Sequence, residues 1–318
     1  DYAILVRTTD NTKKWNGNYV YVSENSFDFL KKSSLLLDDL IIANVGDPGK
    51  AFLCPDLGQP MTLGPNSILV RPLDKNKILN KYFYYYTTSK IGQRQIQDIC
   101  SATAQKKFNK TSYRSLEIPL PPLPQQHKIV NILDAADELR QNDKALIAKY
   151  DELAQALFLD MFGDPVSNPK GWEKNKVIDY CDCIVPGRDK PKSFTGEIPW
   201  VTTDDLIHLG NTFNSKKNIG LTDDEILNVR AKKIPIESVI MTCVGNLGVI
   251  TINKNEIIIN QQLHAFQCFD KLNNVFLMHC LSYQKAYMYK MSSSTTVPYM
   301  NKTVCNNIPI IVPPIEFQ

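Results

Sequence analysis

The chain has 318 residues, 43% of them hydrophobic and 22% charged, with 36 Lys and Arg against 33 Asp and Glu, for a net charge of +3. That composition excludes a disordered chain and, at this length, predicts two ordinary domains with room for a connector. No run of about 18 apolar residues occurs, so no membrane-spanning helix is expected, and the opening DYAILVRTTD lacks the parts of a signal peptide, which leaves a cytoplasmic chain as the expectation.

Charge is unevenly spread. Residues 1–123 carry 16 basic and 11 acidic side chains, residues 124–162 carry 4 and 7, and residues 163–318 carry 16 and 15. The basic excess of the first third permits nucleic-acid contact without requiring it. Eight cysteines are scattered, with Cys181 and Cys183 the closest pair and no C-x-x-C knuckle. They read as reduced thiols packed as small hydrophobes, not as a zinc site.

The first segment, residues 1–123, reads as mixed α/β. ILVRTTD (4–10) is an apolar strand running into Thr-Thr-Asp. LLLDDLIIANVGDPGKAFL (35–53) is strand, Val-Gly turn, strand. YFYYYTTSK (82–90) is helix-like, and SATAQKKFNKTSYRSLEIPLPPLPQQ ends in a proline-rich ramp. From Pro124 to Phe162 there is no Gly and no interior Pro, and Gly163-Asp164-Pro165 supplies a stop. Within that stretch Ile129, Ile132, Ala136, Leu139, Leu146, Tyr150, Leu153 and Leu157 step by threes and fours, with Asp143 breaking the seam, in a heptad-like stripe over about four repeats. At about 1.5 Å per residue this predicts a helix of roughly 58 Å.

Residues 163–314 then repeat the first segment. IPWVTTDD (198–205) answers ILVRTTD, and Val244-Gly245 answers Val45-Gly46 at a shift of 199. Asn301-Lys302-Thr303 answers Asn109-Lys110-Thr111, and Pro313-Pro314 answers Pro121-Pro122, both at a shift of 192. Several colinear matches at nearly constant shift point to internal duplication. The fold class expected is α+β: two similar mixed α/β domains, 1–123 and 163–314, separated by a long coiled-coil-type helix, 124–162. The stub 315–318 is expected to begin a second such helix. Pairing with that helix, or with another chain, would bury the stripe. The stretch from Trp172 to Phe194 has no counterpart before Asp1, so the first copy is expected to lack its N-terminal part.

The ramp and helix IPLPPLPQQHKIVNILDAADEL, then YDELAQALFLDMFGDP and GWEKNKVIDYCDCIVPGR, resemble the specificity subunit of type I restriction-modification systems. The resemblance implies two target-recognition domains, each reading half of a split, asymmetric site in double-stranded DNA. It also implies paired helices that set the distance between the halves. The same helices would dock two methyltransferase subunits, with restriction subunits joining the larger assembly. A non-catalytic chain without cofactor is implied.

The residues themselves offer no tools of catalysis. No phosphate loop and no dinucleotide turn occurs, VPYM (297–300) falls short of the methyltransferase Asn/Asp-Pro-Pro-Tyr/Phe motif, and His127, His208, His264 and His279 lack metal-ligand spacing. DNA reading needs cations and hydroxyls for phosphates and Arg, Asn, Gln or Lys for base edges. The first copy offers Arg7, Thr8, Thr9, Lys13 and Lys14, then Gln105, Lys106, Lys107, Asn109 and Lys110. The second offers Arg188, Lys190, Lys192, Thr202, Thr203, Ser293, Ser294, Asn301 and Lys302. The polar loop before each Asn-Lys-Thr recurs at equivalent places and is the foremost site. The Val-Gly turns read as hairpins, with Asn44 and Asn246 held as weaker contacts. Two rival readings stand beside this one: part of a nucleic-acid-modifying enzyme whose catalysis is supplied elsewhere, and an adaptor that binds only protein through the central helix.

Overall fold

The computed structural model describes residues 1–74, 76–101, 105–187, 189–293 and 296–318. It divides into two compact units, Asp1–Leu146 and Ile147–Gln318. Unit 1 runs β1 (Ala3–Val6), α1 (Thr8–Thr12), β2 (Val20–Val22), α2 (Glu24–Phe29), β3 (Leu40–Ala43), β4 (Ala51–Leu53), β5 (Met61–Leu63), β6 (Ser67–Val70), α3 (Asn80–Thr88), α4 (Lys90–Asp98), α5 (Lys110–Arg114) and the start of α6 (Leu123–Phe162). Unit 2 takes the end of α6 and continues with β7 (Lys174–Lys176), β8 (Cys181–Ile184), β9 (Ile198–Val201), β10 (Gly210–Thr212), β11 (Gly220–Leu221), α7 (Asp223–Asn228), β12 (Val239–Thr242), β13 (Ile250–Asn253), β14 (Ile258–Ile259), β15 (Leu263–Cys268), α8 (Asn274–Ser282), α9 (Lys285–Met291), α10 (Lys302–Asn306) and β16 (Pro309–Ile311).

Each unit is built on the same pair of sheets. In unit 1 the order is β2-β1-β5, with β5 parallel to β1, beside β4-β3-β6, which is antiparallel throughout. Unit 2 repeats the first as β11-β9-β14, again with one parallel neighbour. It repeats the second as β13-β12-β15 and widens it with β10 and β8 on the outer edges. The central strands LIIA and VIMT are apolar at nearly every position because both their faces are covered. Ile41 and Ile240 face the core shared with the sheet centred on β1 or β9, while Leu40 and Ile42, like Val239 and Met241, face the helices.

The duplication read from sequence extends to single hydrogen bonds. The Asp10 carboxylate accepts from the Arg7 amide at 2.8 Å and that of Asp205 from the Thr202 amide at 2.7 Å, closing the turn after β1 and β9 alike. Asp38 and Glu237 both take positive φ before the central strand. One substitution inside this frame is chemical: the buried Asp39, paired with Arg71 in unit 1, stands where unit 2 has Ser238 bonded to Gln267 at 2.5 Å.

The long helix forms as its sequence requires. It spans 40 residues, about 60 Å at helical rise. It stops at Gly163, whose φ of +75° suits an αL cap and whose amide bonds to Leu159 O at 2.8 Å. Its first turns belong to unit 1 through buried Gln126 and Val130. Its last turns belong to unit 2, where Phe158 and Phe162 pack on Phe276 with ring centroids 5.5 and 4.8 Å apart. Between them the predicted stripe lies open. Ile129 is half-buried, whereas Ile132, Leu139, Leu146, Tyr150, Leu153 and Leu157 are about half exposed or more, between 48% and 62%.

Candidate nucleic-acid interface

In unit 1 three loops meet at one end of the β4-β3-β6 sheet. The β3–β4 connection, Asn44 to Lys50, is a hairpin in which Gly46 and Gly49 take φ of +86° and +95°. A side chain at Gly49 would also press on Ile96 of α4 at 3.1 Å, so this turn requires glycine twice over. The polar loop 101–108 is tied to the hairpin by a bridge between Val45 and Lys107 and by the Phe108 amide, which donates to Asn44 O at 3.1 Å. The loop's own neck closes through the Ser101 amide on Lys107 O at 2.8 Å. From the other side, Lys50 Nζ donates to Thr12 Oγ1 at 2.7 Å and ties in α1.

Unit 2 builds the same pairing of hairpin and polar loop with other side chains. Val244 bridges Tyr299, the Met300 amide donates to Cys243 O at 2.9 Å, and the Ser293 amide closes the neck on Tyr299 O at 2.9 Å. Gly245 and Gly248 carry the positive φ values, and a side chain at Gly248 would meet Met288 Sδ at 3.1 Å. The exposed tip residue is Asp47 in the first hairpin and Asn246 in the second. A carboxylate and an amide differ in what they can accept and donate at a base edge, so equivalent positions present different chemistry.

The predicted contacts fall into three groups. Lys13 and Lys14, in the turn after α1, are exposed, as are Thr9, Gln105, Lys106, Lys107, Lys110, Lys190, Lys192, Ser293 and Lys302. Lys106 Nζ also donates to Gln97 Oε1 at 3.4 Å. A second group is engaged in closing local turns and caps. The Arg7 guanidinium pairs with Asp10 at 2.7 Å, which holds that carboxyl below its usual range against the opposing effect of burial. Thr202 Oγ1 donates to Asp205 at 2.8 Å, and half-buried Thr8 lends its carbonyl to Thr12. Thr203, also half-buried, stands in the 3₁₀ turn that follows. Asn109 and Asn301 use their side-chain oxygens as N-caps, accepting from Ser112 N at 2.8 Å and Val304 N at 3.0 Å. The Asn-Lys-Thr recurrence thus has a local cause, since Asn is a preferred cap. Arg188 and Ser294 lie outside the described residues.

The basic loop at 189–193 is positioned separately. Glu225, in the first turn of α7, accepts from Ser193 Oγ at 2.5 Å, Thr222 N at 2.9 Å and Thr195 Oγ1 at 3.0 Å. Those bonds, Ser193 and Thr222 foremost, bring its carboxyl down to about 2. Gln261 ties the same loop to the strand ahead of the hairpin, donating to Gly187 O and Asp189 O at 3.1 Å each, while the neighbouring Gln262 O accepts from Cys243 N at 2.8 Å. Sequence reading passed over Gln261 and Gln262. Their only signal was the amide run Asn260-Gln261-Gln262 between two strand-like stretches. No group of three or more His, Cys, Asp or Glu that could hold a metal ion occurs among the described residues. No helix among them is long and apolar enough to cross a membrane.

Known proteins share this plan. A family model described as the type I restriction modification DNA specificity domain matches twice, over residues 6–149 and 169–318. The putative type I restriction enzyme MjaX specificity subunit of Methanocaldococcus jannaschii is 24% identical over 331 aligned residues, covering 94% of this chain and 73% of that one. The MjaIX specificity subunit of the same organism is 23% identical over 280, covering 76% and 60%. Among solved structures, the type I restriction-modification system S subunit from M. genitalium matches with a TM-score of 0.58 at 16% identity, covering 90% of this chain and 75% of that one, and so shares the fold. With two matched copies of the domain spanning nearly its whole length, the chain belongs to the type I restriction-modification DNA specificity family.

Proposed function

We propose that the chain reads a split, asymmetric site in double-stranded DNA, one half per unit, and directs methyltransferase and restriction subunits to it without itself carrying out catalysis. The observation that carries this reading is the pairing of hairpin and polar loop, built twice with equivalent hydrogen bonds and different exposed side chains. Shared backbone geometry with differing tips is what a reader of two different half-sites requires, because backbone and lysine contacts position while side chains specify. Exposed Lys13, Lys14, Lys106, Lys107, Lys110, Lys190, Lys192 and Lys302 are assigned to phosphates, and Thr9, Gln105, Asp47, Asn246 and Ser293 to the base-reading tips. The open stripe of α6 is assigned to a second long helix, from this polypeptide or another chain, and the paired helices to the dock for two methyltransferase subunits. Half-sites about one DNA turn apart, some 34–36 Å, suit a spacer of this length. The working compartment is the cytoplasm. Mapping methylated bases across the genome of cells that express the chain with its methyltransferase tests the reading. A two-part motif with a fixed gap is expected, and an undivided motif, or methylation independent of this chain, would overturn it.

A further inference from the structure

Each proline ramp ends on a glutamine that makes the same three hydrogen bonds. Gln126, fully buried in the first turn of α6, donates from Nε2 to Lys77 O at 2.8 Å and Pro121 O at 2.7 Å, and accepts at Oε1 from Leu79 N at 3.0 Å. In unit 2, Gln318 donates to Lys271 O at 3.3 Å and Pro313 O at 2.6 Å, and accepts from Asn273 N at 2.8 Å. The partners occupy equivalent places in the two copies. The prolines and glutamines are separated by 192 positions, the connector residues ahead of α3 and α8 by 194. A second amide repeats beside it: Asn80 Nδ2 donates to Asp38 O at 2.8 Å and Asn274 Nδ2 to Glu237 O at 3.1 Å. The ramp turn itself recurs, with Gln125 N on Pro122 O and Phe317 N on Pro314 O.

Burial alone does not explain this choice. A leucine would fill the site but leave Leu79 N, Lys77 O and Pro121 O without the bonds that Gln126 makes to them, and an apolar contact would not fix the direction of the helix root. A primary amide offers two donors and an acceptor in one plane, and at Gln126 all three are engaged, which specifies one arrangement. In unit 1 the next turns of α6 are held as well. Lys81 pairs with Asp134 at 2.8 Å and Tyr85 Oη donates to it at 2.6 Å; although burial opposes it, these bonds keep the Asp134 carboxyl below its ordinary value. A helix of about 60 Å is a long lever: a tilt of roughly 5° at its root displaces its far end by about 5 Å, more than the ~3.4 Å rise of one base pair.

We propose that Gln126 is a positioning residue that sets the direction in which α6 leaves unit 1, and thereby the gap the two half-sites must have. The proposal rests on the split-site reading above. Its test is selection of bound duplexes from a randomised DNA pool by the full chain with its methyltransferase, for wild type, Gln126→Ala, Gln126→Glu and the stability control Ile68→Val. Gln126→Glu is nearly isosteric but loses both donors, so it serves where the alanine variant does not fold. Ile68→Val trims a buried methylene elsewhere in unit 1, a mild core truncation. The clamp variants should select the wild-type half-site sequences while the preference for the best gap over its neighbours falls from about tenfold to about twofold. Amide hydrogen exchange over residues 123–133 should rise in both clamp variants without DNA, and Ile68→Val should change neither readout. A folded Gln126→Glu that keeps the wild-type gap preference overturns the proposal, and so does an Ile68→Val that broadens the gap equally. A wild-type chain that selects no split site would instead overturn the reading beneath it, and the proposal with it.

Discussion

Asn301 shows how one residue can carry two readings. Its place in a recurrent Asn-Lys-Thr suggested DNA contact, yet its side-chain oxygen caps α10. Asn301→Ser keeps a capping oxygen and removes the amide, so thermal stability should hold within about 0.5 kcal/mol. If Asn301 only caps, the affinity of the complex for its selected duplex should also stay within about twofold; a loss of tenfold or more would restore the base-reading role. Glu225 gives a pH signature. Its carboxyl lies at about 2, below the ordinary 4.5, because the folded chain hydrogen-bonds its charged form. The stabilisation is therefore complete above the ordinary value and is lost as pH falls through 4.5 towards 2. The melting temperature of wild type minus that of Glu225→Gln should be positive at pH 7 and shrink towards zero near pH 2. A difference independent of pH would remove the charged clamp from the account.

At the scale of an element, α6 combines two kinds of segment that its sequence does not distinguish by composition. Its ends are bound to the units through Gln126 and Val130 and through Phe158 and Phe162, whereas the stripe between them is solvated. Paired Leu139→Glu and Leu153→Glu substitutions should leave the melting of both units within about 0.5 kcal/mol, since neither side chain is buried in them. The same substitutions should abolish helix pairing, read as a fall in sedimentation mass, or as loss of α6 protection from hydrogen exchange where the partner helix is covalently joined. Unchanged mass and protection would show the stripe to be plain surface. Strong periodicity made the helix and its stop legible, because 3.6-residue spacing and a Gly-Asp-Pro terminator act locally. The same periodicity assigned Ile129 to the open stripe with the rest, although packing within unit 1 leaves it half-buried.

For the whole molecule, binding should fall steeply with salt, because lysines on both units are assigned to phosphates. Replacing Lys13 and Lys14 together by Ala should lower the slope of log affinity against log salt by about one for each phosphate no longer gripped, with the selected sequence unchanged. A changed recognition sequence would move these lysines from phosphates to bases. The sequence alone determined the duplication, the long helix between the copies, the hairpin turns and the family, since each is written in local periodicity, in Gly and Pro punctuation, or in matches at constant shift. Tertiary structure alone decided which polar side chains are spent inside the chain and which face outward. Arg7, Thr202, Asn109 and Asn301 have the same chemistry as good DNA contacts, and only the position of Asp10, Asp205, Ser112 and Val304 shows them occupied. The glutamine clamp was hidden for the same physical reason: Gln126 meets Leu79 across 47 positions of chain, a distance that no local pattern spans and only the packed fold closes.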